Sequence, residues 1–227
     1  FLPNLKNPQW DGSDFKGKNI LVLAEQGWGD QIQFSRYIAL LADRGARVLF
    51  ASPPRSGKLF ARLDGANQVV EWDKSLPSYD YYVYLLSLPG FLKTELNSIP
   101  ANVPYLRADP RRSKFWRQKL GDGGELKIGI SWRDHSGPAP ESDFRNITNS
   151  EFSKIPPIAG IRFIALPLSC PVLDTDGRVS NCNFEWLDGP RDQDGAFADT
   201  MAIIDNLDLV IAPDSVYVHL AAAMGKP

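Results

Sequence analysis

Cysteine and histidine are scarce, with two of each in 227 residues. Cys170 and Cys182 could form one bridge, but one bridge is no framework for a chain of this length, so free thiols in a reducing compartment are expected. There is no Cys-x-x-Cys and no His-Glu-x-x-His, and His135 and His219 are the only imidazoles. A structural zinc site is therefore not expected. The Gly-x-x-x-x-Gly-Lys-Ser/Thr phosphate loop is also missing. Charge is balanced, 25 Lys and Arg against 27 Asp and Glu, net −2, which argues against a general electrostatic grip on nucleic acid. No apolar run is long enough to cross a bilayer. The opening Phe1-Leu2-Pro3-Asn4 lacks the basic-then-apolar progression of a signal peptide. It also lacks an initiator methionine, so a fragment of a longer, cytoplasmic protein is expected.

What the chain does have is apolar content, 43% of residues, enough for one large or two small domains. Residues 1–17, rich in Pro, Asn, Asp and Gly, read as an extended lead-in. Strands are predicted at 19–23, 47–51, 68–72 and 81–85. A helix from Asp30 to about Arg44 carries Ile32, Phe34, Tyr37, Ile38 and Leu41 at helical spacing, and Gly45 stops it. A shorter helix is predicted at 56–63. Strands and helices alternating over short connections imply a parallel sheet with right-handed crossovers.

A charged helix at 109–120 ends at Gly121-Asp122-Gly123-Gly124, where the domain boundary is predicted. The domains are thus expected at 1–120 and 125–227. The second series starts with a strand at 126–132. A polar loop of about 15 residues follows, carrying Arg133, His135 and Arg145; loops of that length are usually functional or disordered. A short helix at 149–155, strands at 161–166 and 184–187, and a helix at 195–206 complete it. Two such units facing each other would make a cleft at the carboxyl ends of their strands, where open α/β sheets bind ligands.

The end of the chain carries the most information. Leu207-Asp208-Leu209-Val210-Ile211-Ala212 suits a buried parallel strand. Asp214 and Ser215 then stand where a helix would begin, and both are good caps. A helix starting there presents free N–H groups and a positive dipole end to an anion. His219 falls one turn in. The set suits a nucleotide diphosphate, although strand–cap–helix units also occur without ligands.

Glu25-Gln26-Gly27-Trp28-Gly29-Asp30-Gln31-Ile32-Gln33-Phe34-Ser35-Arg36-Tyr37 resembles a segment of bacterial glycosyltransferase-like domains that follow tetratricopeptide repeats. Further matches come in the same order. They are Leu86-Ser87-Leu88-Pro89, Ile99-Pro100, Pro104-Tyr105-Leu106, Gly129-Ile130-Ser131-Trp132, Phe197-Ala198-Asp199-Thr200, Leu207-Asp208-Leu209-Val210-Ile211 and the run from His219 to Pro227. Together they span nearly the whole chain, and they are similar to the heptosyltransferases. The resemblance implies the GT-B architecture, two Rossmann-like parallel-sheet domains, with the first on the acceptor side and the second on the nucleotide-sugar donor side. The family continues beyond the position of Pro227, so the second domain is expected to be incomplete.

The same resemblance implies roles. Asp30 matches the aspartate taken as general base; on its residues alone it reads equally as a helix cap. Asp214, Ser215 and His219 match a donor-binding set, and Arg145 a basic residue directed at the donor diphosphate. Glu25, Gln26, Gly27 and Gly29 form the loop, either structuring it or facing the acceptor. Arg36 and Tyr37 are expected to pack within the first helix. Such enzymes usually act without a metal or other cofactor, the nucleotide-sugar being a substrate. The chemistry implied is transfer of a sugar, of the hexosyl or heptosyl class, to a hydroxyl on a protein or glycan acceptor, with inversion. Two rivals stand beside it: a non-catalytic nucleotide- or sugar-binding module next to tetratricopeptide repeats, and an epimerase using the same cleft. Departures from the family pattern are Pro213 before Asp214, and Leu166-Pro167-Leu168-Ser169 at a strand end.

Overall fold

The computed structural model describes residues 5–131, 154–166, 184–187, 192–193 and 195–227. The chain folds as two compact units. One comprises Phe1–Arg107 with Gln193–Ala198, the other Ala108–Asp192 with Asp199–Pro227. Each is built on a four-stranded, all-parallel sheet.

In the first unit the elements run β1 (Asn19–Leu23), α1 (Trp28–Phe34), α2 (Ile38–Asp43), β2 (Arg47–Ser52), α3 (Gly57–Phe60), β3 (Ala66–Glu71), β4 (Tyr81–Tyr84) and α4 (Leu88–Phe91). The sheet order is β3-β2-β1-β4. Central β1 is covered on both faces, and Ile20 to Leu23 are fully buried, as the unbroken apolar run requires.

The single helix expected over 30–44 is two helices joined by a 3₁₀ turn at Ser35–Tyr37. Buried Ser35 donates its hydroxyl to the Ile32 carbonyl at 2.8 Å, and such back-bonding tightens the helical ladder. Gly45 ends α2 at φ +90°, where its N–H bonds Ala42 O and the Ala46 N–H bonds Leu41 O. Gly65, at φ +81°, lies so close to α2 that a Cβ would stand 2.6 Å from Ala39 Cα.

The lead-in is more than a tether. Trp10 donates its N–H to Tyr82 O at 2.8 Å, and Tyr82 donates to Pro8 O at 3.2 Å. The segment therefore bridges in parallel to the β4 edge and buries Trp10 against Phe15 and Phe91.

The second unit contains α5 (Pro110–Leu120), β5 (Leu126–Ile130), β6 (Ile161–Ala165), β7 (Phe184–Trp186), α6 (Ala198–Ile204), β8 (Leu209–Ile211) and α7 (Val216–Ala223). Its order, β7-β6-β5-β8, repeats the plan of the first sheet: three strands wound one way, then a return to the other side of the first. Ile128, Ile130, Phe163, Ala165 and Phe184 form its core.

Helix α5 belongs with this unit, ahead of the Gly121–Gly124 break. Arg112 pairs with Asp199 at 2.8 Å, Trp116 Nε1 donates to the same carboxylate at 3.1 Å, and Asn206 Nδ2 donates to Ser113 O at 2.9 Å. Asp109 caps α5, accepting from the N–H groups of Arg111 and Arg112.

The last strand differs from its expected form. Leu209 and Val210 are half-buried and Ile211 is 42% exposed, because β8 lies at the edge of the described sheet. Leu207 is buried, but in the turn before the strand, where its N–H bonds Ile204 O. Cys170, Cys182, Trp132, Arg133, His135 and Arg145 lie outside the described residues, as do most of the helix expected at 149–155 and much of the segment read as irregular.

Candidate functional site

The order of each sheet creates one place where consecutive connections leave in opposite directions: between β1 and β4 in the first unit, and between β5 and β8 in the second. Open α/β sheets take ligands outside the carboxyl ends of strands at such switch points. Apart from Arg145, the predicted residues fall on the loops and helix starts that follow β1 and β8.

After β1 the chain turns through Glu25, Gln26 and Gly27 into α1. Glu25 Oε1 accepts the Leu86 N–H at 3.0 Å, which ties this loop to the one after β4. This bond gives Glu25 a part in structuring the loop. Gln26 is exposed and holds φ +62°, the left-handed region that non-glycine residues seldom enter. Gly27 is the N-cap of α1, with φ −72°.

Asp30 is not the N-cap. The cap falls three residues earlier, at Gly27, so Asp30 occupies the third helical position and reaches back to the Gly27 N–H with Oδ2 at 3.2 Å. This is the carboxylate half of a capping box, and a negative charge in the first turn also suits the helix dipole. Asp30 is half-exposed, and Oδ1 makes no hydrogen bond among the described residues. Gly29 lies within the first turn.

Trp28, beside it, meets Phe197 edge-on at 5.5 Å. Phe197 stands in the 193–198 segment, which is anchored to this unit by the Ala196 N–H on Arg55 O at 2.8 Å. Arg36 donates to Gln33 O within the helix at 2.9 Å, but it also reaches beyond it, donating to Pro100 O at 3.2 Å and lying over the Tyr105 ring at 5.3 Å. Burial pushes the Tyr105 hydroxyl's pKa up. One turn past Asp30, a cavity of about 440 Å³ opens between Phe34, Tyr37, Pro89, Leu96 and Ile99.

After β8 the chain passes Pro213 and Asp214 into α7, whose N-cap is Ser215 in extended conformation. The Ser215 side chain makes no capping bond. It is buried, and Oγ has no partner among the described residues. The first N–H groups of α7 are thus left without a side-chain acceptor from their own cap. Asp214 is well exposed, with Oδ1 4.0 Å from His219 Nε2. The two are in ion-pair range but beyond a hydrogen bond. Arg145 lies outside the described residues. Among the described residues no cluster could hold a metal ion, and no described helix is long and apolar enough to cross a membrane.

Two features escaped the sequence reading. Gln31, 3% exposed, supports the Asp30 loop from below, and a lone polar residue in an apolar helix pattern gave no hint of it. The second is the start of α6. Asp192 accepts the N–H groups of Asp199 (2.7 Å) and Thr200 (3.3 Å) and the Thr200 hydroxyl (2.6 Å), while its own N–H bonds Asp199 Oδ2 at 3.0 Å. Burial raises the Asp192 pKa, against these hydrogen bonds. The Phe197-Ala198-Asp199-Thr200 match marked this place without giving its role.

Two four-stranded parallel sheets with helices, each carrying its loops at a switch point, define a Rossmann-like glycosyltransferase fold of the GT-B type. Solved structures agree. A glycosyl transferase of family 9 from Veillonella parvula superposes with a TM-score of 0.64 at 11% identity, covering 95% of this chain and 81% of that one. The E. coli ADP-heptose LPS heptosyltransferase II gives 0.61 at 14% identity, over 92% and 83%. E. coli heptosyltransferase WaaC with ADP gives 0.52 at 12%, over 92% and 85%. Among curated proteins, Protein FlbA of Caulobacter vibrioides is 24% identical over an alignment of 265 positions. That alignment takes in 96% of this chain but 40% of FlbA, so the chain spans well under half of that relative. No protein-family model matches the chain.

Proposed function

We propose that the chain is the glycosyltransferase domain of a larger protein, moving a sugar from a nucleotide-sugar to an acceptor hydroxyl with inversion. Asp30 is the general base on the first unit, the acceptor side. The donor diphosphate is held on the second unit by the start of α7, with Asp214, Ser215, His219 and Arg145 about it. The observation that carries this reading is the helix start after β8. Its cap makes no side-chain bond and its buried hydroxyl lacks a partner among the described residues, as suits an N-terminus organised for an anion. Support on the other side comes from Asp30 itself, one of whose oxygens is fixed on Gly27 while the other stays open to an acceptor hydroxyl. The cavity one turn away, lined by Gln33, Arg36, Thr94 and Glu95 as well as apolar side chains, suits the body of a polar acceptor. A structural neighbour bound to ADP makes ADP-sugars the first donors to test.

The reading is tested by a nucleotide-sugar panel on the full-length protein, following thermal shift and release of nucleoside diphosphate together. Binding with turnover supports it, and no binding to any donor rejects it. Binding without turnover favours the second reading, a nucleotide-sugar binding module beside a repeat region. That alternative is favoured by one observation: the Asp30 carboxylate already has a structural task in the capping box.

A further inference from the structure

Gln31 makes two contacts with opposite outcomes. Its Nε2 donates to the Gln26 carbonyl at 2.9 Å. Its Oε1 is shielded from solvent and has no partner among the described residues. A buried amide oxygen without a donor is unfavourable, so stability alone would not select this side chain. The bond made by Nε2 shows what it does instead. The Gln26 carbonyl and the Gly27 N–H are the two ends of one planar trans peptide unit. Gln31 holds the carbonyl end, and Asp30 Oδ2 accepts from the N–H end at 3.2 Å. Two adjacent residues therefore clamp a single peptide plane from both sides. That plane follows Gln26, whose φ of +62° lies in a region a side-chain-bearing residue keeps only when its surroundings hold it. Releasing the carbonyl lets Gln26 relax, swings the Gly27 N–H away, and frees the Asp30 carboxylate to turn.

We propose that Gln31 is a positioning residue. By holding the Gln26 carbonyl it fixes the Gln26–Gly27 peptide, and through it the direction in which Asp30 presents its unengaged oxygen. The catalytic part of this inference rests on the reading of Asp30 as base; the clamp itself does not.

The test uses Gln31→Met, which keeps the length and removes both amide groups, and Gln31→Glu, which keeps the shape and removes the donor, in the full-length protein. Gly27 amide exchange, followed by NMR, reports the clamp. In both variants it should accelerate at least tenfold, while Gln31→Met melts no lower than the wild type, since an unsatisfied acceptor is lost with the bond. Nucleoside-diphosphate release should fall at least tenfold in kcat with the donor KM within twofold. Unchanged Gly27 exchange in either folded variant overturns the clamp. Faster exchange with kcat intact overturns the positioning role. Full turnover in Asp30→Asn is a separate result: it removes the base reading and the catalytic half of this proposal together, leaving Gly27 exchange to judge the clamp.

Discussion

Asp30→Asn separates a structural aspartate from a catalytic one, because the geometry allows the first task to survive and not the second. The carboxylate contributes one acceptor bond, Oδ2 to the Gly27 N–H at 3.2 Å. An asparagine carbonyl can take the same place, as asparagine is as good a capping acceptor as aspartate. What the substitution loses is the charge near the helix start, worth about 0.3–1 kcal/mol when exposed. Asp30→Ala loses the bond as well, worth about 0.5–1.5 kcal/mol more. The ordering in stability is therefore wild type, then Asn close behind, then Ala. Turnover should order differently. Neither Asn nor Ala can accept a proton from the acceptor hydroxyl, so both should fall by about 10²–10⁴ in kcat. The assay is nucleoside-diphosphate release at saturating donor, with donor affinity by calorimetry and stability by thermal melt on the same full-length samples. Two results refute the reasoning: an Asn variant with full turnover, or an Asn variant that melts with Ala.

On the second unit, Arg145→Ala should weaken ADP binding by about tenfold to a hundredfold, the value of a charge-assisted bond, and Asp214→Ala less, by calorimetry; unchanged affinity in both removes the site. Ser215→Ala should leave the melting temperature of the ligand-free protein unchanged or higher, since Oγ makes no bond that alanine would lose; a drop of more than about 1 kcal/mol would mean the hydroxyl does cap α7. Asp109 has its pKa held below the usual carboxylate range, first by the Arg112 N–H. Its folded value is depressed, so its contribution is complete above the unfolded value and is lost as pH falls through the folded one. Being exposed, it is screened and modest. The Arg112 amide shift should therefore move in acid, below about pH 4, and Asp109→Asn should abolish that movement.

Much of each sheet could be read from the chain because central parallel strands are apolar on both faces. Asn19–Leu23 and the 126–130 run have no other stable use. The differences have local causes that hydrophobic periodicity does not record. The helix break at Ser35 follows from one hydroxyl bonding back to Ile32. The apolar run before Ala212 looked like a buried strand, yet Leu207 is spent in a turn and Ile211 faces outward at an edge. Trp10 looked like part of a tether because its neighbours are Pro, Asn and Gly, while its backbone extends the β4 edge. Asp30 was visible as a polar residue after two glycines. Its register in α1 was not, because that depends on Gln26 adopting positive φ, and Gln26 does so with Gln31 bonded to its carbonyl.

Topology supplies the reason why these two loops, rather than others, carry the candidate chemistry. In both sheets the chain winds to one side through three strands and then returns beside the first. The connections on either side of that junction diverge at the carboxyl ends of β1 and β4, and of β5 and β8. Among the described residues each junction is crossed by a tie: Glu25 accepting the Leu86 N–H in the first unit, and the Ser131 N–H on Ile211 O in the second. Ties of this kind hold loop backbone in place without filling the space above the strand ends. The β1 loop is tied by Glu25, Asp30 and Gln31 together. Such tying suits the base proposed there. A proton-accepting oxygen must be aimed to within a fraction of an ångström. A helix N-terminus attracts an anion through several N–H groups and a dipole, and tolerates looser placement.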